Sequence, residues 1–177
     1  MGWSLDYLPP EEPELLDEFF LAVGKALYLA SAFESKCQGV LRIAKLANHF
    51  EETRDALSMN ELAKAMKDKL LGVTINEMRG FPYFDADDVA LLECAKNARN
   101  WIAHESAEIG PLSSASAGQI QKQLSRLHDE LAVLIAGDNL VSRWVYEIEE
   151  KKAAPKAIQT AYPEWVAKWV FGDHNHP

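Results

Sequence analysis

A long stretch without proline near the start of the chain, from Glu14 to about His49, most constrains the fold. Apolar side chains recur along it at intervals of three and four residues, which is the spacing of one face of an α-helix. They are Leu15, Phe19, Ala22, Val23, Ala26, Ala30, Phe33, Cys37, Val40, Leu41 and Ala44. This spacing predicts one helix of about nine or ten turns, whose apolar stripe has to pack against other elements.

Four later segments repeat the helical spacing and are bounded by helix-starting or helix-ending residues. These predicted helices cover approximately residues 58–71, 86–109, 118–152 and 162–171. The chain is therefore predicted to be a single all-α domain over 1–177, an up-and-down bundle of four to five helices. We expect an extended lead over 1–13, and a short terminal helix and tail over 153–177.

Glycines and short breaks give more local expectations. Residues 72–84 are predicted to form a loop, and Gly137-Asp138-Asn139 to kink or break the fourth helix. Gly24 and Gly39 in the first helix are interpreted as marks of a closely approaching neighbour helix. Asp85 is predicted to cap the third helix.

Composition limits the class of protein. With 18 basic and 27 acidic side chains the net charge is -9, which argues against broad non-specific binding to nucleic acid but allows a small basic cleft or a basic partner. Cys37 and Cys94 are predicted to be reduced, buried thiols, and their spacing fits no zinc site. The start lacks a basic region followed by an apolar run, and no apolar stretch approaches membrane-spanning length. We therefore expect a cytoplasmic protein without a membrane partner.

The third predicted helix carries the candidate site. Glu93, Asn97, Asn100 and His104 recur at i, i+4, i+7 and i+11, so they share one polar strip. Arg99 points about 140° around the axis from His104, so the two side chains of one helix do not converge. A second copy packed across a two-fold axis could bring two arginines and two histidines into one cleft.

Other candidate residues are considered both as functional groups and as ordinary surface residues. Glu34 lies beside the buried face of the first helix, either as a rim carboxylate paired with a lysine or arginine or as part of the cleft of Arg99 and His104. His128 is interpreted as a surface residue. His174 and His176 are expected in a frayed tail and not at a metal site.

The run Arg99-Asn100-x-x-x-His104, late in a long helix of a proline-poor bundle, resembles the motif of the HEPN domains (higher eukaryotes and prokaryotes nucleotide-binding). In that family an arginine is followed after four to six residues by a histidine, commonly with a polar residue directly after the arginine. Arg99, Asn100 and His104 match it at the shortest allowed spacing, over only six residues of the chain.

The resemblance implies a metal-independent endoribonuclease, without cofactors, whose site forms from two copies of the motif in a homodimer. The 2′-hydroxyl of RNA would attack the phosphate, His104 would transfer protons and Arg99 would bind the charged phosphate. Asn100 would orient one of them or the scissile phosphate, with Glu34 and Asn97 as accessory candidates. Relatives of this kind act as toxins or in phage defence, held in check by a separate antitoxin protein.

Two other functions remain open from the residues. The first is a non-catalytic module of the same fold that binds a nucleotide or a protein partner, which the acidic charge suits. The charge of the surface around Arg99 distinguishes this module from a ribonuclease, because a catalytic dimer needs a basic cleft there. The second is an interaction protein whose contact surface is the aromatic terminus with Trp165, Trp169 and Phe171.

Overall fold

A computed structural model of the protein describes residues 13–110 and 115–172. These residues form six α-helices and no strand. The helices are α1 (Pro13–Thr53), α2 (Ala56–Ala65), α3 (Leu71–Met78), α4 (Ala86–His104), α5 (Ala117–Glu150) and α6 (Lys156–Phe171). The predicted all-α bundle is confirmed. The predicted lead, except Pro13 at the start of α1, and the histidine tail lie outside the described residues.

The four long helices alternate in direction along the chain. Arg143, late in α5, pairs with Asp88 in the first turn of α4, at 3.6 Å between nitrogen and oxygen, so α4 and α5 are antiparallel. Lys25, early in α1, donates to the main-chain oxygen of Trp169 at the end of α6, at 2.7 Å. Only residues 151–155 join α5 to α6, and Asn139, late in α5, donates to the main-chain oxygen of Gln159, early in α6, at 2.8 Å, so these two helices are antiparallel as well. The order α1, α4, α5, α6 therefore runs up, down, up and down, with α2 and α3 in the connection between α1 and α4.

The connection between α1 and α4 differs from the prediction. The expected loop over 72–84 contains most of α3, in which Thr74, Ile75 and Met78 are buried against the bundle. This helix has only eight residues, too few for its apolar spacing to be recognised beside Gly72 and Gly80. The helix count over the described residues is therefore six rather than four to five.

Several helix boundaries also differ from the prediction, including the end of α4, which lies at His104 instead of near residue 109. Asp55 caps α2 by accepting hydrogen bonds from the main-chain nitrogens of Leu57 and Ser58, so this helix begins before the predicted Ser58 and ends at Ala65. The terminal helix starts at Lys156, six residues before Tyr162, and accommodates Pro163. By contrast, Asp85 caps α4 as predicted, accepting from the main-chain nitrogen of Asp88 at 2.7 Å.

The close approach predicted at Gly24 and Gly39 and the break predicted at Gly137 are not found. At Gly24 and Gly39 an added Cβ would meet no heavy atom within 4 Å. At Gly137 it would lie 2.3 Å from the Cβ of Ala95 and 3.4 Å from the Phe33 ring. The close approach is therefore at Gly137, where α5 crosses α4 and α1, and α5 continues through this position without a break.

The buried stripe of α1 matches the predicted one closely, with Leu16 buried where Leu15 was expected. Cys37 is buried, and burial raises the pKa of its thiol. Cys94 is exposed, so its predicted burial is wrong. It lies about 90° around α4 from the middle of the buried stripe, beyond the part that α1 and α5 cover.

Candidate active site on α4

The polar strip of α4 lies at the surface of the bundle. Asn97, Asn100 and His104 are exposed, and Glu93 is half-buried at the edge of the strip. The opposite side of α4 packs into the core through Leu92, Ala95, Ala98 and Ile102. The strip thus forms an open polar surface along α4.

Arg99 leaves α4 on the side that faces α1, where it meets Glu34. The Nη2 atom of Arg99 donates a charge-assisted hydrogen bond to Oε2 of Glu34, with side chains 23% and 21% exposed. Its Nη1 atom donates to Oδ1 of Asn100 at 3.2 Å, while its Nε–H is buried without a partner among the described residues. The side chains of Glu34, Arg99 and Asn100 therefore form one hydrogen-bonded group. The arginine with which Glu34 pairs is Arg99.

His104 is separate from this group. It is the last residue of α4, its imidazole is exposed, and no hydrogen bond to Arg99, Asn100 or Glu34 is found. The separation follows from helix geometry, since residues five apart differ by about 140° in direction. One chain therefore holds Arg99, Asn100 and Glu34 together but leaves His104 and Asn97 apart from them.

The charges around the group are mixed. Glu93 pairs with Lys96 and, at 3.5 Å, with Arg79, and hydrogen bonding from Lys96 is the main cause that lowers the pKa of Glu93. Near the end of α4, the guanidinium of Arg126 lies 4.5 Å from the centre of the Trp101 ring and 3.9 Å from a carboxylate oxygen of Glu105. The cations on this face are thus paired with carboxylates, and the face is not the basic cleft expected for a catalytic dimer.

Sequence reasoning missed a buried ionic cluster around Asp138. Its side chain is fully buried, and Nζ of Lys36 donates to both carboxylate oxygens, at 2.9 and 3.0 Å. Lys36 also donates to Ser142 at 2.9 Å, and the hydroxyl of Tyr162 donates to Asp138. Burial first, and then the charge of Asp138, raises the pKa of Tyr162. The cluster joins α1, α5 and α6 in the interior.

Local sequence carried no signal for this cluster. Asp138 stands between Gly137 and Asn139, a tripeptide typical of a helix break. Its partner Lys36 is 102 positions away, so no helical spacing connects them.

Among residues 13–110 and 115–172 there is no group of three or more histidine, cysteine, aspartate or glutamate side chains that could hold a metal ion. In the same part of the chain no helix has the length and apolar character that a membrane span requires.

The chain matches no protein-family model, no curated protein and no solved structure.

Proposed function

We propose that this chain is a metal-independent endoribonuclease of the HEPN type. The observation that supports the proposal is the position of Arg99, held by Glu34 and Asn100 on α4 of an up-and-down helical bundle. His104 lies exposed at the end of the same helix. His104 is thus exposed, and Arg99 is partly buried and oriented by two neighbours.

The chemistry suits these side chains. RNA supplies its own nucleophile, the 2′-hydroxyl, which attacks the adjacent phosphorus and expels the 5′-oxygen. His104 takes the proton from the 2′-hydroxyl or gives one to the leaving oxygen. Arg99 stabilises the negative charge that develops on the phosphate. The products are a 2′,3′-cyclic phosphate and a 5′-hydroxyl.

Arg99 keeps donors for a phosphate while it is paired. Each terminal nitrogen of a guanidinium carries two N–H groups, and Glu34 and Asn100 each use one of them. The remaining donor on each nitrogen can reach a phosphate oxygen. Glu34 thus orients the guanidinium, and its carboxylate offsets part of the positive charge of Arg99.

A homodimer is part of the proposal. Because Arg99 and His104 diverge on one helix, two copies packed through their α4 strips are needed to bring a histidine and an arginine to one phosphate. Asn97 lies in this strip and would be at the dimer interface. By resemblance, we propose a role as a toxin or phage-defence effector, with a separate antitoxin protein as a partner.

The test is cleavage of a labelled RNA pool by purified protein in excess chelator. We expect wild type to leave cyclic phosphate ends, and His104→Ala and Arg99→Ala each to lose activity by about a hundredfold or more. His128→Ala is the control for His104, since His128 is also exposed but lies on α5. Arg143→Ala is the control for Arg99, because Arg143 is also a partly buried arginine paired with a carboxylate.

Equal cleavage by all five proteins would indicate a contaminating nuclease and contradict the assigned roles. Loss of activity in His128→Ala or Arg143→Ala as large as in the site variants would indicate a general effect on folding. Wild type that binds RNA or a protein without cutting any RNA would support the second candidate.

That second candidate is a non-catalytic helical module that binds a nucleotide or a protein. The mixed charges around Arg99 and the net charge of -9 favour it, because neither attracts a long polyanion. For this module, Arg99→Ala would weaken partner binding while RNA stays intact in every protein.

A further inference from the structure

A pocket of about 340 Å³ opens between α1, α2 and the segment 66–70 that leads into α3. Its volume is within the range of about 300–1,000 Å³ that is usual for small-molecule sites. Leu41, Leu62 and Met66 supply apolar walls. Its cationic lining residues are Arg42, Lys45, Lys67 and Lys69.

The charge of the pocket is opposite to that of the whole chain. Four cations line it, against one lining carboxylate, Asp68. Glu77 pairs with both Lys45 and Lys69 from outside the lining, so two positive charges remain in excess on a chain of net charge -9. Such a local excess attracts an anion, more strongly in a concave site than on an open surface.

The backbone adds to this attraction. Helix α3 begins at Leu71, two residues after the lining residue Lys69, and Thr74 is the one residue of this helix that lines the pocket. Leu70 at the N-cap makes no side-chain hydrogen bond to the helix. The first N–H groups of α3 therefore lack a capping side chain, and the positive end of this short helix lies close to the cationic lining, which adds to the attraction for an anion.

The pocket is held in shape by main-chain contacts. Gln38 donates from Nε2 to the main-chain oxygen of Lys69 at 2.9 Å, and Arg42 donates from Nη2 to that of Met66 at 3.1 Å. Both bonds fix the segment 66–70 against α1. Preformed walls of this kind reduce the entropy lost when a ligand binds.

We propose that this pocket binds a small phosphate monoester with an apolar body. The phosphate would be held by Lys67, Lys69 and Arg42 at the start of α3, and the body would lie against Leu41 and Met66. This chemistry is shared by nucleoside phosphates and alkyl phosphates. The proposal does not depend on ribonuclease activity. The pocket is nevertheless near the candidate active site, because its lining residue Gln38 lies one turn along α1 from Glu34.

The test is calorimetric titration at low salt with adenosine monophosphate, hexyl phosphate, adenosine and inorganic phosphate. We expect at least one of the two esters to bind at least about tenfold more tightly than both adenosine and inorganic phosphate, because only the esters join charge to an apolar body. The ester that binds more tightly identifies the source of the ligand.

Two variants place the binding in this pocket. Lys67→Gln removes an exposed lining cation and is expected to weaken ester binding about tenfold. Ala65→Phe fills the pocket from the last residue of α2, where the side chain is exposed, and is expected to abolish binding while the charges stay. Lys122→Gln, an equal charge change at an exposed position of α5, is the control and should bind as wild type.

Three results would overturn the proposal. The first is the absence of binding heat from both esters at about 5 mM, well above a millimolar dissociation constant. The second is an equal loss in Lys67→Gln and Lys122→Gln, which would indicate only the general charge of the protein. The third is undiminished binding by Ala65→Phe, which would locate the ligand elsewhere.

Discussion

Asp138 shows how one side chain can hold three helices together. Its carboxylate is fully buried and receives hydrogen bonds from Lys36 on α1 and Tyr162 on α6. A buried carboxylate is costly unless it is paired, and here both partners come from elements remote in sequence. The buried carboxylate of this α5 residue thus helps to hold α6 against α1 and α5.

Asp138→Asn should lower the free energy of unfolding by about 2–3 kcal/mol, because it leaves Lys36 without its carboxylate. The loss is at the lower end for a broken buried pair, since Lys36 is 31% exposed. Urea denaturation would measure it, with Asp129→Asn on the same helix, 83% exposed, as control. A change below about 0.5 kcal/mol is expected for the control. Equal changes in both variants would contradict this role of Asp138.

At the scale of single residues, the sequence predicted what local spacing determines. The capping by Asp85 and the exposure of Asn97, Asn100 and His104 follow from helical periodicity. The partner of Glu34 was left open, because which arginine it meets depends on how α1 and α4 pack. Asp138 was missed for the same reason.

Helix crossings account for the differences at the scale of elements. Gly137 lies where α5 approaches α4, and the absence of a side chain there lets Ala95 and Phe33 fill the space. A glycine within a helical sequence is compatible with a helix break, with the close approach of another helix, or with neither. Which of these applies depends on its neighbours in the folded structure. The close helix contact was therefore predicted at Gly24 but lies at Gly137. The length and buried face of α1, by contrast, followed from its own periodicity.

Gly137→Ala should destabilise the protein by about 1–2 kcal/mol, although alanine favours a helix by about 1 kcal/mol over glycine. The added Cβ would overlap Ala95, which has no flexible side chain to move away. Gly24→Ala in α1, where nothing lies within 4 Å, should instead stabilise by about 0.5–1 kcal/mol. Urea denaturation of both variants checks the opposite signs. Partial rescue of Gly137→Ala by Ala95→Gly would identify the clash, and stabilisation by Gly137→Ala would refute it.

For the whole molecule, the proposed ribonuclease activity depends on how two copies of the chain would pack. The surface of α4 is polar and exposed along Asn97, Asn100 and His104, while its other sides are covered by α1, α3 and α5. A two-fold axis at this strip would place the same residues of both copies opposite each other. The proposed ribonuclease needs this arrangement, whereas a binding module does not.

Asn97→Arg should therefore separate the dimer, because it places two like charges across the axis. We expect the dissociation constant in sedimentation to rise by at least about tenfold, with RNA cleavage lost in parallel. Gln121→Arg, an equal change at an exposed position of α5, should alter neither. Asn97 is also an accessory site candidate, so loss of activity in Asn97→Arg could come from loss of the dimer or from loss of the Asn97 side chain. A mixture of Asn97→Arg and Asn97→Asp distinguishes these causes, because opposite charges across the axis should restore both the dimer and the activity. Cleavage by a wild-type monomer, or a dimer that survives Asn97→Arg, would show that the site does not form across α4.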